Sequence, residues 1–247
     1  MKIEQNILDV IDEGHVDGDL YYLPKRILDR ATYKSVNKVL VALGGAWNKG
    51  LKAHQFGKTG VKEAIDNVLL TGSVIEPKKE FGFFETPPNI VKKLIGLADI
   101  QPIHRCLEPS AGTGNIADTL QDLTTYKVTC VEVIPESLSM LVSKGYRVFG
   151  EDFLQWESNV QFDRIVMNPP FRLQADIKHV AKAIMHLAPK GILVSVLSAG
   201  SKCRSNGLAI KFKELLNQYH CEWFELPSGA FKSSGTMVNT VILKVTN

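Results

Sequence analysis

The stretch LEPSAGTGNIADTL, residues 107–120, decides how the chain is to be read. Gly112 and Gly114 stand between an apolar strand and an amphipathic helix, so backbone can approach a ligand closely and the N–H groups at the helix start can face it. Every nucleotide-binding fold uses such a turn, and the glycines alone do not say which. No Gly-Lys-Ser/Thr follows to cradle a triphosphate, and the third glycine of the dinucleotide fingerprint is missing. Glu108, an acid before the glycines, argues against a pyrophosphate and for a cationic partner.

From this turn outward, apolar runs alternate with helical periodicity in the way that builds a parallel sheet, an α/β arrangement. Strands are predicted near 104–108, 127–132, 146–150, 162–167, 191–197, 221–226 and 238–245, with helices near 115–123, 135–143, 174–187 and 207–217. The second strand ends VTCVEV, which puts Glu132 roughly where such folds hold a ribose 2′-hydroxyl. After the third strand comes GEDFLQW, where Asp152 is expected to bind adenine with Phe153 stacked beside it, although Asp152 also reads as a helix cap. The fourth strand, FDRIVMNPPF (162–171), is a continuous apolar run stopped by two prolines, neither of which can donate to a sheet ladder. That stop is a stiff turn at the carboxyl end of a strand, and it holds out one amide, Asn168, and one ring, Phe171.

Taken in order, EPSAGTGNI, VEV, GEDF and NPPF resemble the S-adenosylmethionine-dependent amino-methyltransferases that modify exocyclic adenine nitrogens, above all the type I restriction-modification group. FFETPPNIV (83–91) is similar to their amino-terminal motif, and the resemblance implies that Thr86 and Pro87 touch the methionine end of the cofactor. LPSGAFKSSGTMVNTVILKV is similar to the close of that fold, where a reversed last strand follows a loop that reaches the target base. What the resemblance implies is a seven-stranded, mostly parallel, doubly wound (Rossmann-like class I methyltransferase) sheet with a reversed last strand, over about residues 81–247. It implies S-adenosylmethionine held by Thr86, Pro87, Glu108, Ser110, Ala111, Gly112, Gly114, Glu132, Asp152, Phe153 and Asn168. It also implies that Asn168, Pro169, Pro170 and Phe171 form the catalytic turn.

The chemistry follows from the poor nucleophilicity of adenine N6, whose lone pair is delocalised into the ring. In the family, the asparagine Oδ1 and the following carbonyl, here Asn168 and Pro169, accept the two N6 hydrogens while Phe171 stacks on a flipped-out base. Phe231 has two readings, an exposed second aromatic clamp or a core residue. The leading expectation is adenine-N6 methylation of double-stranded DNA. RNA adenine-N6 methylation is the runner-up, and methylation of a protein glutamine at N5 a third reading.

The 247 residues, 45% hydrophobic and 22% charged, allow one full core and a smaller appendage. Residues 1–80 resemble, less closely, a module that precedes such methyltransferases on phages and plasmids; a small α+β module is expected. Between residues 21 and 62 nine lysines and arginines face a single acid, Asp29, and tyrosines, Trp47 and Phe56 are interleaved with them. That mixture suits neutralising phosphates and contacting bases or sugars, so Lys49, Lys52, Lys58 and Trp47 are candidate nucleic-acid contacts, with Lys202 and Arg204 in a second basic loop. A helix is predicted over Tyr33–Leu43, a hairpin turning at Lys49–Gly50, and a helix over Val61–Leu70. The four scattered cysteines suggest no disulfide framework and the six histidines show no ligand spacing, so no metal is expected. No apolar run approaches the ~20 residues of a membrane span, and the acidic amino terminus is unlike a secretory signal, so a cytoplasmic protein is expected.

Overall fold

The computed structural model describes residues 2–56, 60–74 and 84–247, and the chain divides into two compact units, Met1–Glu80 and Phe81–Asn247. The expected boundary at 80/81, Phe83 of the amino-terminal motif and Lys58 lie outside the described residues.

In the first unit, helices α1 (Gln5–Asp12), α2 (Arg30–Ala42) and α3 (Val61–Thr71) accompany strands β1 (His15–Asp17), β2 (Leu20–Tyr22), β3 (Gly45–Asn48) and β4 (Ala53–Phe56). The strands form an antiparallel sheet in the order β1-β2-β4-β3. Asp29 caps α2 by accepting the N–H groups of Ala31 and Thr32, which explains why the helix starts three residues before the predicted one. The β3–β4 turn is held by the Asn48 side chain, whose Oδ1 accepts from Gly50 N at 3.0 Å and Leu51 N at 3.2 Å. Not expected from the sequence are α1 and the β1–β2 hairpin. Both had signals, the helical spacing of Ile7, Leu8 and Ile11 and the Asp17-Gly18 turn. They are joined through buried Tyr21, whose hydroxyl donates to the Ile11 carbonyl at 2.9 Å.

The second unit is the α/β sheet. Strands β5 (Cys106–Pro109), β6 (Thr129–Val131), β7 (Arg147–Phe149), β8 (Phe162–Met167), β9 (Leu187–Ser198), β10 (His220–Glu225) and β11 (Thr240–Thr246) stand in the order β10-β11-β9-β8-β5-β6-β7. Only β11 is reversed, antiparallel to both β9 and β10, as expected for this fold class. Buried side chains alternate between faces with the strand period. Leu107, Ile165, Met167, Leu193 and Leu243 pack with helices α7 (Ala175–Met185) and α9 (Gly207–Leu216). Cys106, Val166, Val194 and Ile242 pack on the other face with α4 (Pro88–Ala98), α5 (Asn115–Leu123) and α6 (Pro135–Ser143).

Strand order reverses direction between β5 and β8, which lie side by side with Leu107 opposite Ile165. At such a switch point the loops leaving the two strands diverge and open a crevice at their carboxyl ends. The loop leaving β5 carries the glycines, and the one leaving β8 carries Asn168–Phe171. Nearby, buried Asp176 at the start of α7 accepts Ser198 N at 2.9 Å and Ser201 Oγ at 2.7 Å. It thereby ties the residues after the proline turn to the end of β9 and to the short helix α8 (Gly200–Cys203).

A second buried carboxylate, Glu132, sets the shape of the β5 loop. Its Oε2 accepts Gly112 N at 2.6 Å, and its Oε1 accepts Val133 N at 2.8 Å and Ile134 N at 2.7 Å. Glu132 is 5% exposed, so the three donors compensate a desolvated charge. Replacing it with alanine leaves the buried Gly112 and Ile134 N–H groups without partners, at about 1–3 kcal/mol each. Thermal unfolding of Glu132→Ala is therefore expected to show a loss of roughly 2–6 kcal/mol even without any ligand. An unchanged midpoint would show that the loop does not depend on this carboxylate.

Candidate functional site

The glycine turn is forced into left-handed backbone at Ser110 (φ 70°), Gly112 (φ 55°) and Gly114 (φ 90°). Ser110 N and Ala111 N both donate to Val131 O, at 2.9 and 3.0 Å, which latches the strained turn to β6. A Cβ on Gly114 would come within 3.0 Å of Leu141 Cδ2 in a conformation that side chains rarely adopt, so glycine is required there. Gly114 is also the N-cap of α5 and brings no side chain to cap it, so the helix start stays open to a ligand.

Glu108 lies at the end of β5, 3% exposed, and its Oε2 has no hydrogen-bond partner. Burial pushes its carboxyl well above the usual carboxylate range; Asp118 and Glu132 add to this, while the Ala117 N–H and Lys144 act against it. In the protein alone the protonated form is favoured. An arriving cation would supply what is missing.

Phe84, Glu85 and Thr86 cross the crevice as a strap pinned from three directions. Asn115 Nδ2 donates to Thr86 O at 3.2 Å and Ser234 Oγ donates to Glu85 O at 2.6 Å. Asn168 Nδ2 donates to Phe84 O at 3.0 Å and Thr86 Oγ1 at 3.1 Å. The amide of the proline turn thus spends both its hydrogens on the strap. Its Oδ1 is buried with no partner. Phe84, Thr86, Glu108, Ser110, Ala111 and Asn168 line a cavity of about 20 Å³, room for one small polar group.

Glu108 and the start of α5 fit the methionine end of S-adenosylmethionine. The unpartnered Oε2 of Glu108 suits an ammonium, and the N–H groups at the start of α5 suit a carboxylate. Glu132 is the more constrained candidate. Three backbone donors occupy it, and only one lone-pair position, on Oε2, remains for a ribose hydroxyl.

Other residues named from the sequence fall differently. Asp152 is exposed, and its Oδ1 caps the next turn by accepting Leu154 N at 3.0 Å. Phe153 is not a free stacking face: it is 2% exposed, packed among Trp156, His179 and His186. Phe231 is not an exposed clamp either. It is fully buried and meets Phe171 edge-on, ring centroids 6.4 Å apart, so it supports that ring from beneath. Hydrophobic burial won over the polar neighbours that suggested exposure. Pro169 is buried, and Phe171 and Pro170 are half-buried at the mouth of the turn. Beyond them Leu173 and Gln174 adopt left-handed backbone (φ 53° and 58°) before α7 begins.

Among the basic candidates, Lys202 pairs with Glu225 at 3.0 Å, an exposed pair of small energetic weight. Arg204 is half-buried with Nη1 lacking a partner. In the first unit Lys49 and Lys52 are exposed on the β3–β4 turn, and Trp47, 43% exposed, stands edge-on to buried His54. Sequence reasoning missed Asn115, Ser234 and the Phe84 carbonyl, whose parts depend on segments distant in the chain. Among the described residues no cluster of His, Cys, Asp or Glu could hold a metal ion, and no helix is long and apolar enough to cross a membrane.

Comparison with known proteins places the same loops in a family context. The methyltransferase small domain family matches residues 102–221. A type II methyltransferase of Thermus thermophilus is 30% identical over 119 residues, covering 45% of this chain and 27% of that protein. Another, from Haemophilus influenzae, is 34% identical over 97 residues, covering 39% of this chain and 18% of its own length. The chain thus spans under a third of either relative. Among solved structures, a chain of a type I restriction-modification system superposes with a TM-score of 0.56 at 20% identity, covering 67% of this chain and 42% of that one. A dimethyladenosine transferase from Plasmodium falciparum gives a TM-score of 0.52 at 21% identity, covering 66% and 62%. Both likenesses concern the fold. Residues 102–221 match the methyltransferase small domain family, and the sheet that carries them has the class I methyltransferase fold.

Proposed function

We propose that the protein transfers a methyl group from S-adenosylmethionine to the exocyclic N6 of an adenine in DNA. The observation that carries this reading is the Asn168 amide, whose nitrogen is committed to the strap while its buried Oδ1 stays without a partner at the switch point. An acceptor kept bare in a desolvated site costs free energy unless something donates to it. An adenine amino group is such a donor.

When bound, S-adenosylmethionine supplies an electrophilic methyl group. The chain's own contribution is placement and polarity. Oδ1 of Asn168 and the Pro169 carbonyl accept the two N6 hydrogens, which localises the nitrogen lone pair in the direction of transfer. Phe171, steadied by Phe231, stacks on the base. As N6 gains the methyl its positive charge develops against these two acceptors, so they bind the transition state more tightly than the ground state. The methylated N6 would then carry a surplus proton, which Asn168 Oδ1 or the Pro169 carbonyl would hold by a hydrogen bond until it passes to solvent. The support for DNA is the likeness to type II methyltransferases together with the basic, aromatic-bearing β3–β4 turn of the first unit.

Radiolabelled cofactor incubated with DNA, RNA and a glutamine-bearing release-factor protein tests the substrate class; label in RNA or protein alone would overturn the DNA reading. Asn168→Ala should abolish turnover while calorimetry shows nearly unchanged cofactor affinity, and full turnover would sink the mechanism. Phe171→Ala should lose about 1–3 kcal/mol in target capture.

Glu108 adds a proton to the binding reaction. Because its pKa is raised on folding, the cofactor-free folded protein keeps this proton to higher pH than the unfolded chain does. The carboxyl thus favours folding at low pH, and that contribution fades as pH rises through the folded value. A cofactor ammonium seated against it reverses the preference. Titration calorimetry in buffers of different ionisation enthalpy is expected to show proton release on binding, absent in Glu108→Gln. Identical heats in every buffer would mean that the cation does not meet this group.

For the first unit, DNA affinity should fall steeply with salt, log K declining by ~0.9 per duplex phosphate contact. Replacing Lys49 and Lys52 with alanine together should lower that slope by up to about two contacts and weaken all sequences alike. A variant with the parent's slope makes these lysines a solvated face and turns attention to Lys202 and Arg204.

A further inference from the structure

We infer that Thr86 is a positioning residue for catalysis: its hydroxyl, together with the Phe84 carbonyl, sets which way the Asn168 amide points. The inference rests on the proposed role of Asn168 and adds the device that makes an asparagine serviceable there.

An asparagine amide is nearly symmetric in shape but opposite in polarity at its two ends. Turned by half a rotation, Asn168 would offer two N–H donors to the amino group it must polarise, and donor would face donor. Something in the protein has to break that near-symmetry. A backbone carbonyl can only accept, so the atom 3.0 Å from Phe84 O must be Nδ2. Thr86 Oγ1, 3.1 Å from the same nitrogen, takes the other hydrogen. Oδ1 is left as the atom turned away from the strap, buried and unpaired. The reversed amide would set its oxygen against the Phe84 oxygen, two acceptors about 3 Å apart with no proton between them, as well as losing both bonds.

The strap is built to keep this arrangement. Thr86 is 6% exposed, so water does not compete for its hydroxyl. Asn115, at the first position of α5, holds the Thr86 carbonyl, and Ser234, in the loop before β11, holds the carbonyl of Glu85. The orientation of the proline-turn amide is thereby referred to the glycine-turn helix and to the loop that carries Phe231. An aspartate at 168 would need no such device; an asparagine does.

The resemblance instead implies that Thr86 touches the methionine end of the cofactor, and the two roles differ in what they predict. In Thr86→Val, which keeps the shape and removes the hydroxyl, turnover of cofactor-saturated enzyme should fall about tenfold, the worth of one hydrogen bond in the transition state. Cofactor affinity should stay within about twofold of the parent. Thr86→Ser should restore turnover. A readout independent of any methyl acceptor is the Asn168 side-chain NH2 signal by nitrogen-15 NMR, identified by its loss in Asn168→Asp. Its solvent exchange should be slow in the parent and in Thr86→Ser, and faster in Thr86→Val. Weakened cofactor binding in Thr86→Val, with turnover at saturation and Asn168 exchange both unchanged, would overturn the inference and return Thr86 to the cofactor. Should the parent methylate no polynucleotide, the proposed function fails, and the exchange measurement still decides whether Thr86 orients the amide.

Discussion

The Glu132 carboxylate is the constraint on which the rest of the site depends. A strand-to-helix turn with three left-handed residues in five positions has no reason to hold its shape alone. Glu132 holds it by accepting the Gly112 N–H while gripping the start of its own loop through Val133 and Ile134. The charge is costly to bury, and the three N–H groups would be costly to leave bare, so each side requires the other. The β5 turn is thus shaped before any ligand arrives, with the strain of Ser110 and the glycines offset by bonds that are already made.

Against that background the two buried carboxyls of the site take opposite parts. Glu132 holds three backbone donors and acts as framework. Glu108, on the neighbouring strand, has an oxygen with no partner and a pKa driven upward by burial and by its acidic neighbours. The separation of roles by environment is a general device for making one carboxyl structural and another responsive. Asn168 repeats the pattern in neutral form, with one end of the amide fully committed and the other kept free. A free acceptor and a carboxyl that burial inclines to keep its proton line the same crevice, and neither is a feature that packing by itself calls for.

Local signals carried most of the fold. Helices Asn115–Leu123 and Pro135–Ser143 begin and end where a glycine turn, a proline at the first position and the apolar spacing placed them. The apolar run Ile165–Met167, stopped by Asn-Pro-Pro, is the central strand that it resembles, buried on both faces. Strand β9 is longer than expected, Leu187–Ser198 against 191–197, because Leu187 already pairs with Phe162 before a bulge, with Lys190 in left-handed backbone, leads to the main ladder at Ile192 opposite Arg164. In the first unit α1 went unpredicted because an acidic composition masked its apolar stripe.

The residues of the crevice were legible by type and order: an acid before glycines, an acid after the second strand, an amide before two prolines. Those patterns concern backbone conformation and local chemistry, which neighbours in the chain determine. The direction of the Asn168 amide, the occupation of Glu132 by backbone donors, and the burial of Phe153 and Phe231 were decided only by the tertiary structure. Each depends on a group far away in sequence: Phe84 for Asn168, Gly112 for Glu132, His179 and His186 for Phe153, and Phe171 for Phe231. The sequence by itself determined which groups could accept, donate or carry charge. Only the fold decided which of them had already found a partner, because hydrogen bonds and burial are settled by what arrives from elsewhere in the chain.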